Sequence, residues 1–241
     1  GVILYLHGGA YALGSVNVHR ELVARLASAA GIRALAINYR LAPEHPFPAA
    51  LDDTLAAYQW LLDQGYAPDQ IVLAGDSAGG GLALAALVAL REAGQPLPAA
   101  AVCLSPWVDL ALRGDSIHQN ASRDPILDPH SLAKYAGYYA GDLDPASPFV
   151  SPLYADLQGL PPLLIHVGAN EILLDDATRL AERARQAGDE VSLETWEGMF
   201  HVFQIIPFLP ETRRSIAQLA EFVTAKLNLP GENQGQASIR R

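Results

Sequence analysis

A glycine-flanked serine is the residue in this sequence whose surroundings best suit covalent chemistry. Gly75-Asp76-Ser77-Ala78-Gly79 follows the apolar run IVLA and precedes a stretch of small and apolar residues. A G-x-S-x-G pentapeptide between a strand and a helix forms a sharp turn that exposes the serine oxygen, and its glycines keep side chains away from that oxygen. The alternative is a glycine-rich turn that holds an ordinary serine. We predict that Ser77 is a nucleophile and that Asp76 orients the turn without reacting.

A serine hydroxyl attacks poorly unless a neighbouring base takes its proton. His201, in the segment EGMFHVFQ, directly follows the last predicted strand. It also comes last, as the order serine, acid, histidine demands for a serine on such a turn. A histidine among apolar residues is otherwise typical of a core position. We predict that His201 is the base. His166 is expected to be packed in a strand. The remaining candidates do not follow a strand in this way; they are His19, His45, His118 and His130.

The third member of such a site is a carboxylate in the loop that follows the strand PLLIHVG. Glu171, Asp175 and Asp176 are the candidates. Glu171 lies within three residues of the predicted strand end at Gly168. Asp175 and Asp176 fall at the start of the next predicted helix, where the helix dipole explains acidic residues. We favour Glu171 as the group that orients the imidazole and stabilises its protonated form, and the two aspartates stay open.

Two bare glycines end the first predicted strand, in the segment HGGA. Backbone N–H groups at Gly8 and Gly9 can approach a ligand closely because no side chain intervenes. Together with the N–H of Ala78, they are predicted to bind the oxyanion that forms when a serine attacks a carbonyl. The alternative is a glycine turn between a strand and a helix.

These residues must be positioned by an alternation of strand and helix patterns along the chain. Predicted helices cover residues 18–30, 49–64, 78–93, 175–187 and 211–227, and apolar runs that read as strands precede or follow each of them. Such repeats predict an α/β fold with a mostly parallel sheet and helices on both faces. The run IRALAINYRL is apolar on both faces, which predicts a strand that is not half-exposed. Ligands bind beyond the carboxyl ends of the strands in such sheets.

One long segment, residues 106–152, interrupts this alternation. It is rich in aromatic residues and has no clear strand pattern. Long excursions of this kind are usually lids or binding loops. We therefore predict one domain over residues 1–229 with a cap-like excursion at about 108–152, and a disordered tail at 230–241.

Composition excludes several partners. The chain has 16 basic and 26 acidic residues, a net charge of −10 and no block of basic residues, so no nucleic-acid partner is expected. Cys103 is the only cysteine, so no intrachain disulfide can form, and a buried thiol is expected. There is no cluster of histidine and cysteine ligands and no G-x-G-x-x-G after a strand, so neither a metal nor an organic cofactor is expected.

The longest apolar run, LALAALVAL, is too short to span a bilayer and reads as a core helix. A cytoplasmic location is expected. The chain starts with Gly1 inside a strand pattern, so the natural N-terminus is expected to be missing and an upstream targeting signal is left open. The oligomeric state is also left open, with a homodimer among the options.

Five motifs in order, HGGAY, YRLAPEHPFPAAL, GDSAGG, SPWVDL and GMFHVF, resemble those of the hormone-sensitive-lipase-like (bacterial family IV) carboxylesterases of the α/β-hydrolase fold. The similarity extends from residue 1 to about residue 227. It implies hydrolysis of short-chain acyl esters by Ser77, His201 and an acid at the position of Glu171. It also implies that the amides of Gly8, Gly9 and Ala78 bind the oxyanion. Many relatives carry aspartate at the acid position, so Glu171 is a departure.

A second departure concerns the start of the chain. Members of this family usually carry two further strands and a helical cap before the HGG strand. These elements are expected to be missing here, and one wall of the acyl pocket is expected to be missing with them. Tyr11, Asp76, Trp107 and Phe200 are predicted to line the remaining pocket. For both Trp107 and Phe200 the alternative is ordinary core packing.

Four further residues of these motifs are assigned mainly structural roles. Tyr39, Arg40 and Glu44 are expected to stabilise a loop, with an Arg40–Glu44 ion pair beside a proline-fixed turn. Asp109 is expected to anchor the cap, and a place in the site is its alternative.

The sequence therefore predicts a serine carboxylesterase that acts on small-molecule esters through an acyl-enzyme. A protein that binds a small ligand on this fold without hydrolysing it, or an inactive truncated relative, is the main alternative. Its site would have no need of a base at His201. An amide hydrolase that uses the same three residues is a second alternative.

Overall fold

In the part of the chain that the structure describes, six parallel strands form the central sheet, in the order β2-β1-β3-β4-β5-β6. They belong to a computed structural model that describes residues 1–227. The strands are β1 (Val2–Leu6), β2 (Arg33–Ile37), β3 (Ile71–Asp76), β4 (Ala100–Leu104), β5 (Leu163–Gly168) and β6 (Val191–Trp196). The α-helices are α1 (Val16–Ala30), α2 (Ala49–Asp63), α3 (Ala78–Glu92), α4 (Ser116–Gln119), α5 (Pro129–Ala140), α6 (Leu174–Gln186) and α7 (Pro210–Lys226). Because every strand pair is parallel, the loops that follow the strands lie at one edge of the sheet.

Helices cover both faces of the sheet because the strands are apolar on both faces. In β1, Val2, Leu4 and Leu6 belong to the core beneath α2, α3 and α6. Ile3 and Tyr5 belong to the core beneath α1 and α7. This alternation follows from the two-residue period of a strand. The predicted α/β fold with a parallel sheet and helices on both faces is confirmed.

The ends of the predicted helices differ from the observed ends by at most two residues. The prediction for the second strand was wrong in one respect. Among residues 1–227, β2 is an edge strand that pairs only with β1, and its residues Ala34 to Ile37 are partly exposed. The apolar pattern indicates that helices cover both faces of the strand. It does not indicate whether other strands pair with both of its edges.

The segment between β4 and β5 contains two α-helices and no strand, and all of its residues are described. α5 packs on the rest of the molecule through Leu132, Ala136 and Tyr139. The side chain of Asn120 donates hydrogen bonds to the backbone oxygens of Ala169 and Glu171. The excursion is therefore attached to the carboxyl edge of the sheet.

The loop after β2 is stabilised differently from the prediction. Arg40 pairs with Asp53 at 2.8 Å and not with Glu44, whose side chain is exposed. Asp53 lies in the helix α2 and also accepts a hydrogen bond from the Arg40 backbone N–H, so its carboxylate is held facing the guanidinium. The Tyr39 hydroxyl donates to the carbonyl oxygen of His7 at 2.6 Å, in keeping with a structural role.

The tail predicted to be disordered, residues 230–241, lies outside the described residues. Among the helices of residues 1–227, none combines the length and the apolar character needed to cross a membrane.

Candidate active site

Ser77 occupies a strained turn between β3 and α3. Its backbone φ of 53° and ψ of −122° are rare for a residue with a side chain. The conformation is held from two sides: Ser77 N–H donates to Leu104 O at 2.8 Å, and Ser77 O accepts from Trp107 N–H at 3.0 Å. Strain of this kind persists only where the surroundings enforce it, and it is concentrated at functional sites.

Close backbone packing explains the two glycines that flank this serine. A Cβ on Gly75 would overlap the carbonyl oxygen of Gly79, and a Cβ on Gly79 would overlap that of Leu6. Neither backbone oxygen can move without displacing a strand or the first turn of α3. The G-x-S-x-G pattern is therefore required by the packing of the turn against the sheet.

A buried acid–base pair lies at the same edge of the sheet. His201 Nδ1 is 2.7 Å from Glu171 Oε2, and both side chains are buried. Glu171 follows β5, and His201 follows β6. With Nδ1–H donating to the carboxylate, Nε2 is left free to accept a proton.

Glu171 is completely buried, and its second oxygen is also bonded. Oε1 accepts from the backbone N–H of Gly168 at 2.6 Å and from the hydroxyl of Ser105 at 2.7 Å. A buried carboxylate needs such donors, because burying an unpaired charge is very costly. The three donors hold the carboxyl group with Oε2 facing His201.

Ser77 and this pair lie at the same edge of the sheet, on either side of β4. Within residues 1–227 the structure contains no hydrogen bond between the Ser77 hydroxyl and the His201 ring. They are linked through β4: Ser77 N–H binds Leu104 O, and the next residue, Ser105, bonds Glu171. In unliganded enzymes the contact between nucleophile and base is often long and shortens when substrate binds.

The other two acid candidates make different contacts. Asp175 Oδ2 accepts from the N–H of Ser116 at 2.9 Å. Asp176 Oδ2 accepts from Val108 N–H at 2.9 Å and Asp109 N–H at 2.8 Å. The attribution of these aspartates to the helix dipole alone was therefore incomplete, because both hold the backbone of the excursion. A segment without strands must find acceptors for its N–H groups elsewhere, which is the signal that could have indicated this role.

Asp176 is expected to make stability depend on pH. Burial raises its pKa from the usual 3.8 to about 8, and the nearby Asp109 carboxylate adds to this effect. Between about pH 4 and pH 8 the unfolded chain loses a proton that the folded protein keeps, so the free energy of unfolding falls as pH rises through this range. Asp176→Asn should remove this slope, as measured by urea unfolding at pH 5 and pH 8.

Asp175→Asn is the control for this measurement, because Asp175 is adjacent and only half-buried. It should keep the wild-type dependence on pH. Identical slopes for the wild type and Asp176→Asn would show that Asp176 is ionised in the folded protein throughout this range.

The amide of Gly8 is not available to an oxyanion, which corrects the prediction for this residue. Gly8 N–H donates to Asp76 Oδ1 at 3.0 Å. Within the described residues, the amides of Gly9, Ala10 and Ala78 have no acceptor. Gly9 and Ala10 have φ of 123° and 53°, so the loop turns sharply at these residues. A free set of donors therefore consists of Gly9, Ala10 and Ala78, the last at the start of α3, where the helix dipole favours negative charge.

Asp76 was predicted to line the pocket, but it lies beneath the loop that follows β1. Its carboxylate accepts from Tyr5 O–H at 2.8 Å and from Gly8 N–H, and it pairs with His19 Nε2 at 3.2 Å. It therefore faces no open space, and it connects the serine turn to the Gly8–Gly9 loop. Burial opposes ionisation of Asp76, but the hydrogen bond and charge of His19, with the bonds from Tyr5 and Gly8, leave its pKa below the usual value.

His19 is a residue of this region that sequence reasoning missed. Burial lowers its pKa, but the hydrogen bond and charge of Asp76 outweigh burial, so the net pKa is raised. Its other ring nitrogen, Nδ1, is 3.1 Å from Ser15 O, so both nitrogens face acceptors. No local pattern marks this position, because the contact exists only once α1 packs across the end of β3.

The aromatic residues predicted to line the pocket are mostly covered. Tyr11 and Trp107 are buried; Tyr11 stacks on Tyr139 of α5 with ring centroids 3.8 Å apart. Trp107 Nε1 donates to Asp109 O at 3.2 Å. They are core residues beneath the excursion and not an exposed lining, so core packing, the stated alternative, holds for Trp107. Phe200, next to His201, is partly exposed.

Asp109 makes the contacts expected of an anchor for the excursion. Its carboxylate is completely buried and pairs with Arg179 of α6 at 2.7 Å. It also accepts from the N–H groups of Ala111 and Arg113.

Cys103 is buried as predicted, and burial raises the pKa of its thiol to about 12. Within residues 1–227, no group of three histidine, cysteine, aspartate or glutamate side chains is placed to hold a metal ion.

Three features together define the α/β-hydrolase class. They are a parallel sheet with helices on both faces, a strained serine turn after β3, and a glutamate–histidine pair after β5 and β6. A family model described as alpha/beta hydrolase fold matches residues 3–205. The chain belongs to this family, within its bacterial hormone-sensitive lipase group.

Two curated relatives and one solved structure illustrate the similarity. An acetyl-hydrolase of Streptomyces hygroscopicus is 53% identical over 222 residues, which are 92% of this chain and 74% of the relative. An esterase of Acinetobacter venetianus is 42% identical over 226 residues, 93% of this chain and 75% of the relative. The crystal structure of an esterase from the bacterial hormone-sensitive lipase family has a TM-score of 0.92 and 54% identity, covering 94% of this chain and 76% of that chain.

Proposed function

We propose that this carboxylic ester hydrolase acts on short-chain acyl esters through an acyl-enzyme formed on Ser77. The observation that carries the proposal is the buried pair of Glu171 and His201, 2.7 Å apart, at the sheet edge that also holds the strained serine turn. A protein that only binds a ligand on this fold has no need of a base that is oriented by a buried carboxylate.

In the first step, Ser77 Oγ attacks the ester carbonyl while His201 Nε2 takes the hydroxyl proton. The carbonyl oxygen becomes an oxyanion and is bound by the amides of Gly9, Ala10 and Ala78. Such preset donors are each worth about 10²–10³ in rate. Glu171 keeps the imidazole in the tautomer that has Nδ1–H and stabilises the imidazolium that forms.

The first half of the reaction ends when the imidazolium gives its proton to the leaving alkoxide and the alcohol departs. The acyl group stays on Ser77. In the second half, a water molecule gives a proton to His201 as it attacks the acyl carbonyl. The bond between the acyl carbon and Ser77 Oγ then breaks, the imidazolium returns its proton to that oxygen, and the carboxylic acid is released. No step requires a metal ion or an organic cofactor.

The preference for short acyl groups is supported by the name of one relative. The protein that is 53% identical to this chain is named an acetyl-hydrolase. A series of p-nitrophenyl esters from acetate to decanoate tests this preference. We expect kcat/KM to fall as the acyl chain lengthens beyond butyrate, and a maximum at decanoate would contradict it.

An acyl-enzyme should be visible as a burst. When p-nitrophenyl acetate is mixed rapidly with the protein, we expect p-nitrophenol to be released at about one equivalent per chain before the steady state, because acylation precedes slower hydrolysis. A fluorophosphonate probe should label Ser77 once per chain, and protein denatured beforehand is the control. Hydrolysis without labelling of Ser77 would contradict the mechanism.

A further inference from the structure

Ser105 lies beside the Glu171–His201 pair. It directly follows β4 and is completely buried. Its hydroxyl donates to Glu171 Oε1 at 2.7 Å and accepts from the N–H of Val202 at 3.1 Å. Val202 is the residue after His201, so one hydroxyl contacts both the acid side chain and the loop that carries the base.

The backbone of Ser105 is as constrained as its side chain. Its φ is 47°, a conformation that residues with side chains rarely adopt. Its N–H donates to His166 O of β5 at 2.7 Å. A hydroxyl has one hydrogen to donate, and here it is committed to Glu171. The strained turn places the side chain where it can make both of its contacts.

We propose that Ser105 is a positioning residue, whose hydroxyl holds the Glu171 carboxylate and the His201 loop in the geometry that aligns Glu171 Oε2 with His201 Nδ1. The inference rests on the proposed function and deepens it. Ser105 acts through Glu171 and His201 and does not touch the substrate.

The contacts of Glu171 show why such a residue is needed. A glutamate has one more rotatable bond than an aspartate, so its carboxyl group has more orientations to lose. Gly168 N–H and Ser105 O–H both bind Oε1, and together they leave Oε2 for His201. Without the Ser105 hydroxyl, Oε1 keeps one donor, and Val202 N–H has no acceptor in the buried turn.

Ser105→Ala tests the proposal with steady-state kinetics on p-nitrophenyl acetate. We expect kcat to fall about 10- to 100-fold, a part of the 10²–10⁴ that general acid–base catalysis supplies. KM should change by less than about twofold, because the hydroxyl does not contact the substrate. Ser105→Cys, which keeps the size and a weak donor, should be intermediate, and it also serves if the alanine variant does not fold.

Ser151→Ala is the matched control. Ser151 is also completely buried, and its hydroxyl also makes two hydrogen bonds, to Pro145 O and from Leu110 N–H, both at 2.6 Å. These bonds lie within the excursion and include neither Glu171 nor His201. Ser151→Ala should lose stability as Ser105→Ala does, but its kcat should stay within about twofold of the wild type.

Proton NMR provides a second measurement, and a loss of stability alone does not change its result. The low-field resonance of the proton between His201 Nδ1 and Glu171 Oε2 should shift or broaden in Ser105→Ala and stay in place in Ser151→Ala. The proposal is overturned if folded Ser105→Ala has the same kcat as the wild type and an unchanged low-field resonance. If the alanine variant does not fold, the same two measurements on Ser105→Cys decide. Failure of the proposed function is a separate result, because the wild type itself would then not be labelled by a fluorophosphonate.

Discussion

Ser77→Ala is expected to lower kcat for p-nitrophenyl acetate by at least about 10⁴-fold and to abolish the burst. Removing one member of such a catalytic unit costs nearly as much as removing all of it, because no other group can form the acyl-enzyme. The fold should be unaffected, since the hydrogen bonds that hold the turn use the backbone of Ser77 and not its hydroxyl. Steady-state kinetics, with circular dichroism as the check on folding, measures the effect.

A matched control for this variant is Ser28→Ala, which removes an exposed hydroxyl on α1. It should keep wild-type kcat and fluorophosphonate labelling, whereas Ser77→Ala should not be labelled. Retention of more than a tenth of the wild-type kcat by Ser77→Ala would show that another group acts as the nucleophile.

Glu171→Gln is expected to lower kcat by about 10³–10⁴-fold with little change in KM. The amide keeps the size of the carboxyl group but removes the negative charge that stabilises the imidazolium and selects its tautomer. In addition, an amide nitrogen placed at Oε1 would face the donors of Gly168 and Ser105. The measurement is the kcat of purified, folded variants with p-nitrophenyl acetate.

The neighbouring aspartates are the controls for Glu171. Asp175→Asn neutralises a carboxylate that accepts from Ser116 N–H, and Asp176→Asn replaces the buried carboxyl group that accepts from the N–H groups of Val108 and Asp109. Both variants should keep kcat within about tenfold of the wild type. A larger loss in either variant than in Glu171→Gln would assign the acid to that aspartate.

The strand and helix pattern of the chain predicted most of the fold. The alternating apolar runs and the glycines and prolines between them mark the five predicted helices to within two residues at each end, whereas α4 and α5 of the excursion were not predicted. The excursion was also recognisable, because a long segment without strand pattern cannot join the sheet. The edge position of β2 was not predictable, since the pairing of a strand depends on which other strands are present and not on its own residues.

Ser77, His201 and Glu171 could be proposed from the sequence because each follows a recognisable strand. In a parallel sheet this condition alone brings residues far apart in the chain to one edge. The Gly8 prediction failed for a related reason. A glycine pattern indicates that the backbone can approach a ligand closely, but it does not indicate which N–H groups are already used, and Asp76 takes that of Gly8.

The sequence by itself determined the class of fold, the serine turn and the candidate acid and base, because these depend on local pattern and on order along the chain. Only the tertiary structure decided which amides are free, that His19 pairs with Asp76, that Asp176 holds the excursion and that Ser105 bonds Glu171. These are contacts between side chains and backbone groups of distant segments. A hydrogen bond requires its two atoms within about 3 Å of each other, and no pattern along a chain specifies distances at that scale.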